Sequence, residues 1–548
     1  VLLALAAVAS DATAGDGNAA PDRLANDLIC RFGSWDGCDG WFSANRCTML
    51  GLSYRATPAP RQTDAAARDR ARDALDAALS SKDGFVASEA ALALGLAGDP
   101  RDAAALARVV ADRSASFRMR RWAALALGLL PPGDATQSAA ALDALLGALA
   151  AGKEETYQEF WGTSAYALAL KGDKTVVPRL VELRKRMLAA SLNARGLPVP
   201  GEATGALTYA IAALGGADAL GDVEGYLRGK QQPEAVDSMW SAVHALVRVT
   251  GDGSVRLLRG LTNDERQPVR CVAMQALGVA AGPKDDDSAK ILRDCLANER
   301  EVTCRQMAAI GLARSCNPTA GPDLATALER GPGSDKRFVG MALGIWLRGS
   351  PDPKLATTLV RTFEKAATPD DRAGLAIAIG MAGAKDGLKA IVEAIPKGRG
   401  GPVTSGCCCA LGLLGAGPAE VKLLHEILDA SNDPCSRREA AMALGLAHDK
   451  TVVAQLRAIL QSKRHDLDRA TCAICLGRVG DDADIDFLVG VMADRATSEP
   501  LRACVVRGLG LLLDRSEGAR IGGVVANGRW TWRVQGADPF GDLRYLME

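Results

Sequence analysis

A short apolar stretch with a basic start, Arg437-Arg438-Glu-Ala-Ala-Met-Ala-Leu-Gly445-Leu-Ala-His-Asp449, recurs along most of the chain. Its copies end at Gly95, Gly128, Gly278, Gly311, Gly344, Gly380, Gly412, Gly477 and Gly510, with weaker ones around Ala169, Gly215 and Arg248. The spacing between registers is close to 33 residues, except for two gaps of 41 and 46 residues between Gly128 and Gly215. A unit of that length holds a helix, a turn and a second helix. It cannot bury its apolar face alone, so neighbouring units must stack on one another.

Two further registers support this reading. A basic residue stands eight positions before the Gly, as Arg120, Arg270, Lys336, Arg372, Arg437, Arg469 and Arg502. Asp99, Asp173, Asp449, Asp481 and Asp514 stand four positions after it, where a side-chain oxygen can accept the free N–H groups of the next helix. Arg, then Ala-Ala, then Ala-Leu-Gly, then Gly-Asp at this spacing resembles the short HEAT repeat of phycobilisome-lyase-like proteins. The resemblance covers roughly residues 64–515. It implies an all-α fold, a right-handed α-solenoid (an armadillo/HEAT-like superhelix) of about thirteen helical hairpins. It also implies that the inner helices line a concave surface on which a partner meets several repeats at once. Ankyrin and tetratricopeptide units share the period, but their Thr-Pro-Leu-His and Trp…Leu-Gly…Tyr patterns are missing.

The outer helices are expected at 64–79, 103–110, 139–149, 176–188, 289–296, 355–363, 421–428, 452–460 and 485–492, where Leu and Val recur at three- and four-residue steps. The recurrent Gly costs about 1 kcal/mol relative to Ala inside a helix. Its repetition points to close approach of an adjacent helix. Gly98 and Gly480 are the expected left-handed helix stops.

The ends differ from the repeats. Residues 1–14 hold an apolar run and then Ala12-Thr13-Ala14, which reads as a truncated signal peptide and so as export to the periplasm or beyond, with the cytoplasm as the alternative. Residues 15–63 read as a linker and an N-terminal cap carrying Cys30, Cys38 and Cys47, among which one disulfide could form. Residues 516–548 read as a C-terminal cap with a short strand at Gly528–Val534.

Lys plus Arg and Asp plus Glu both number 65, so a general nucleic-acid binder, which needs a basic excess, is disfavoured. No uninterrupted apolar stretch is long enough to span a membrane. Cys407, Cys408, Cys409, Cys472 and Cys475 occupy positions that hold Ala or Met in other copies, so they read as small core residues. Cys271 and Cys304 share one register, seven before the Gly, which again points to structure. HEAT-like deoxyhypusine hydroxylases bind iron through several His-Glu pairs. This chain has one such pair, His425-Glu426, so neither a metal nor another cofactor is expected.

The Arg series (Arg120, Arg270, Arg372, Arg437, Arg469, Arg502) reads as structural, each Arg pairing with an Asp of the preceding turn, as Arg270 with Asp264. The candidate partner-binding residues are Tyr157, Phe160, Trp161, Arg184, Lys185 and Arg186, in the irregular stretch 129–215, because aromatics and Arg are the usual interface anchors. Trp161 is expected either to be exposed enough to act as an anchor or, with the other aromatics, to fill the gap made by the longer helices. The functional expectation is a non-enzymatic protein-binding scaffold, with a bilin-lyase-like or chaperone-type HEAT protein as the alternative.

Overall fold

An Ala- and Leu-rich helix that is apolar all the way round has no face to offer to water, so it must be surrounded by protein. The inner helices of this chain are of that kind. The computed structural model describes residues 65–150, 158–190, 202–229, 241–243, 245–249, 251–396, 400–447, 449–464 and 466–513. Among them are twenty-five α-helices and no strand. The segments read as signal peptide and as N- and C-terminal caps lie outside the described residues, as do Tyr157 and Asp514.

The described chain falls into two compact units. One is formed by stretches from both ends of the sequence, within 58–254 and 457–546. Its outer helices are α1 (Ala65–Leu79), α3 (Ala103–Ala111), α5 (Ala135–Ala150), α7 (Val177–Ala190), α9 (Leu220–Arg228) and α24 (Ile485–Ala493). Its inner helices are α2 (Gly84–Ala97), α4 (Phe117–Leu129), α6 (Gln158–Lys171), α8 (Glu202–Gly215), α23 (Asp466–Val479) and α25 (Glu499–Leu513). The other unit lies within 255–456. Its inner helices are α11 (Gln267–Ala280), α13 (Val302–Arg314), α15 (Lys336–Gly349), α17 (Pro369–Ala382), α19 (Pro402–Leu414) and α21 (Pro434–Leu446). Its outer helices are α12 (Asp286–Asn298), α14 (Ala320–Arg330), α16 (Pro353–Glu364), α18 (Leu388–Glu393) and α20 (Pro418–Ala430). Helices α10 (Asp252–Leu261) and α22 (Thr451–Gln461) run across the two boundaries.

Each unit is a solenoid of helical hairpins in which inner helix packs on inner helix. In the second unit the order follows the sequence, α11–α13–α15–α17–α19–α21. In the first it does not: the row runs α23–α25–α2–α4–α6–α8, so among the described residues the last inner helix lies beside the first.

The recurrent Gly sets the spacing of these rows. A Cβ placed on Gly95 would lie 2.5 Å from the Cα of Ala126, and one on Gly128 2.7 Å from that of Ala167. On Gly278 and Gly477 it would run into the backbone carbonyls of Gly311 and Gly508. Only a residue without a side chain fits, which answers the helix-propensity cost in physical terms. Gly98 is the left-handed stop of α2, at φ 70°. Gly480 is not, since its φ is not positive; its N–H closes on the carbonyl of Leu476 at 2.8 Å. The Asp register acts as the spacing implies. Asp99, Asp173, Asp449 and Asp481 accept the N–H of Arg101, Thr175, Thr451 and Ala483 at 2.9–3.0 Å.

The inner helices are buried on every face. In α2 every residue from Val86 to Leu96 is buried, and so is every residue of α13 from Gln306 to Arg314. Their first turns are less covered, as at Phe117, Met119 and Arg120 of α4 and at Asp370, Asp371 and Arg372 of α17, which are half-buried. The outer helices alternate buried and exposed residues, as in α1, where Ala67, Ala71, Leu75, Ala78 and Leu79 are buried and the charged residues face outward.

Candidate functional site

The irregular stretch was the expected place for a partner, and its residues part into two groups. Phe160 and Trp161 are 2% and 7% exposed, on the buried side of α6. Phe160 packs edge-on against Phe117 of α4, with ring centroids 6.3 Å apart and the Arg120 guanidinium 4.5 Å from its ring. Tyr166 donates to or accepts from Ser241 at 2.8 Å and meets Tyr209 of α8 edge-on at 5.3 Å. The exposure that an anchor needs is absent at Trp161; the aromatics fill the space between neighbouring inner helices.

Arg184 is buried as well. It donates to Thr208 Oγ1 of α8 and to Asp222 of α9, both at 3.1 Å, and lies over the Tyr226 ring. Burial lowers its pKa against the pull of Asp222. It clamps α7 to the next repeat and is not a surface anchor. Lys185 and Arg186 do face solvent, together with Arg179 and Glu182. Among the described residues no ion pair engages Arg179, Lys185 or Arg186. The exposed side of α7 thus carries three cations and one carboxylate.

The Arg register caps helix ends. Arg120 Nε donates to the carbonyl of Val110 at 3.0 Å, Arg469 Nε to that of Leu460 at 2.9 Å, and Arg372 Nη2 to that of Ala366 at 3.0 Å. Arg502 reaches three carbonyls, those of Met492, Asp494 and Thr497. The last carbonyls of each outer helix have no partner within the helix, and a guanidinium supplies one. The expected carboxylate pairing of Arg270 is corrected. It donates to the backbone carbonyls of Asp264 and Glu265, its carboxylate partner is Glu299 at 3.2 Å, and the Asp264 carboxylate holds Arg266. Arg437 heads α21, in the same register.

Sequence reasoning missed a second set of links, between successive outer helices. Arg72 of α1 meets Asp102 at 2.6 Å, Arg259 of α10 meets Asp285, Arg293 of α12 meets Asp323, and Arg457 of α22 meets Asp484. Each joins one repeat to the start of the next outer helix. At one rung His425 of α20 takes the place of Arg, with Nε2 2.5 Å from Asp449 and Nδ1 2.6 Å from Gln455 Oε1. Burial alone would raise the Asp449 carboxyl, but hydrogen bonds from His425 and Thr451 outweigh it and hold the pKa below its ordinary value. His425 is thus occupied as a structural rung.

Cys407, Cys408, Cys409, Cys472, Cys475 and Cys504 are buried in the inner helices, and burial pushes the Cys407 thiol up to about 12. Cys271 of α11 and Cys304 of α13 form a disulfide with their Cα atoms 4.3 Å apart. The signal was present in the shared register, since equal positions on adjacent inner helices lie side by side. Among the described residues no cluster of His, Cys, Asp and Glu could hold a metal ion, and no helix is long and apolar enough to cross a membrane.

Residues 421–510 match the family model described as HEAT repeats. No curated protein matches the chain. Among solved structures, the complex of CpcE and CpcF of phycocyanin lyase from Nostoc sp. PCC7120 is 20% identical, with a TM-score of 0.31 over 47% of this chain and 94% of that one. Human deoxyhypusine hydroxylase in complex with glycerol is 19% identical, with a TM-score of 0.22 over 52% of this chain and 96% of that one. Residues 421–510 thus match HEAT repeats, and the stacked hairpins with their Arg, Gly and Asp registers run on through the other described repeats.

Proposed function

We propose that the chain is a non-enzymatic scaffold that holds a protein partner on the solvent side of its outer helices. The observation that carries this reading is the exposed face of α7, where Arg179, Lys185 and Arg186 stand with Glu182 as the helix's single carboxylate. A rigid stack presents such a face without rearrangement, and a basic face steers an acidic partner by charge complementarity. Lys185 and Arg186 remain candidate contacts, and Arg184 ties the helix that carries them to α8 and α9.

Export belongs to the same proposal. The Cys271–Cys304 disulfide favours an oxidising compartment, because thiols inside most cells are kept reduced.

The test is affinity capture from the source organism with the wild-type chain and with Lys185→Glu/Arg186→Glu. Exposed charges of this kind leave folding stability nearly unchanged, so the melting temperature is the control. The expected outcome is loss of the captured partner at low salt with an unshifted melting temperature. Equal capture by both proteins would remove α7 from the binding face.

A further inference from the structure

The joint between the first and the last described repeats obeys the same rule as a joint between sequence neighbours. A Cβ on Gly95 would press on Ala126, two residues before the next register at Gly128, and one on Gly344 or Gly380 on Ala378 or Ala410, again two before the next. Gly510 of α25 behaves as though the repeat of Gly95 came after it: its Cβ would lie 2.6 Å from the Cα of Ala93. On the outer side, Arg70 of α1 makes two hydrogen bonds of 2.9 Å to the carboxylate of Asp486 of α24.

This seam also carries a buried charge label. Arg507 Nε donates to Glu89 Oε2 at 2.6 Å, with both side chains 3% exposed. The Arg507 guanidinium lies 5.7 Å from the ring of Trp122 on α4, so it spans α2. The α2 face therefore accepts a helix with Gly at the register and a cation three residues before it. The α25 face accepts a helix with Ala opposite that Gly and a carboxylate four residues earlier. The two faces are separated by 418 residues of chain.

We propose that the seam forms in trans as well as in cis, so that a second copy of this chain is a partner. In the reciprocal form, α24 and α25 of each copy stack on α1 and α2 of the other. Both seams are then satisfied and the assembly closes as a dimer. Nothing in the seam chemistry distinguishes the chain's own α25 from that of another copy. Tethering favours closure within one chain in dilute solution, and concentrated refolding favours exchange. This inference is independent of the partner docked on α7.

Charge reversal tests it with the full chain. Glu89→Arg places two cations at its own seam and Arg507→Glu two carboxylates, so neither variant closes well on itself. Mixed, each supplies the missing sign to the other. The expected result is that the two variants, refolded together, form a stoichiometric heterodimer by light scattering, while the single-chain double variant Glu89→Arg/Arg507→Glu is again monomeric. A restored double variant with no heterodimer in the mixture would overturn the proposal. Should the single variants aggregate, two wild-type chains with different tags are refolded together at high concentration. Co-purification of the tags supports exchange, and their failure to co-purify overturns it.

Discussion

At the residue scale, each helix position carries a packing condition that can be tested one side chain at a time. Gly278→Ala puts a methyl group against the carbonyl of Gly311, and overpacking of this kind costs about 1–3 kcal/mol. A lowered urea midpoint with unchanged slope is expected; no loss would mean that the rows are looser than the backbone approach implies. Trp161→Ala removes a buried indole, for which about 3–5 kcal/mol is usual. A large fall in melting temperature is therefore expected, the opposite of what an exposed anchor would give. The thiols of Cys407, Cys408 and Cys409 should react with thiol reagents only on unfolding, since all three are buried. Fast labelling in native buffer would contradict that. The Gly and Asp roles were legible from sequence because each is a local backbone condition repeated at one offset. The burial of Trp161 was not legible. An aromatic in a longer repeat unit fits equally well outward or inward until the neighbouring inner helix is in place.

At the element scale, two kinds of link hold the hairpins together, and they respond differently to change. Within a repeat, Arg caps the end of the outer helix. Arg502→Met withdraws donors from three carbonyls, so amides in the last turn of α24 should exchange faster with solvent while α23 stays protected. Unaltered exchange there would leave Arg502 without a capping role. Between repeats, the Arg–Asp rungs join outer helix to outer helix. Burial lifts the Asp102 carboxyl to about 6 in spite of Arg72. The sign follows directly. A carboxyl whose folded pKa lies above its unfolded value gives stability that is present at low pH and is lost as pH rises through about 6. Asp102→Asn should flatten that part of the stability curve between pH ~4 and ~6.5, and urea midpoints at those two values measure it. A variant with the wild-type slope would show that Asp102 is ionised throughout. The Arg register was visible in the sequence because it keeps a constant eight-residue offset from Gly, but its expected carboxylate partners are replaced by backbone carbonyls at Arg120, Arg372 and Arg502. The rungs were hidden because their two ends lie from 24 to 38 residues apart and one is filled by His425.

At the scale of the whole molecule, the period predicts a stack but carries no information about which ends meet. A repeat looks the same from sequence whether its outer flank faces solvent, a cap or a distant repeat, so the row α23–α25–α2–α4 came only from the structure. The consequence is a coupling that an open-ended solenoid lacks. In an open array, contacts run between sequence neighbours, and trimming one end leaves the other end unaffected. Here, removing residues 466–513 takes away Gly510 and Arg507 and uncovers the flank of α2. The stabilisation that comes from covering that apolar flank, about 1.5–3 kcal/mol for each large side chain, is lost with it. Loss of protection should therefore appear at the far end of the sequence, in α1 and α2, while the α13–α17 region keeps its slow exchange. Hydrogen exchange of the truncated chain, followed by mass spectrometry, separates the two cases. Protection unchanged at residues 65–97 would mean that the first repeats stand without the last. Arg507→Met should give a milder form of the same pattern, because it removes the charge but keeps most of the apolar stem against Trp122.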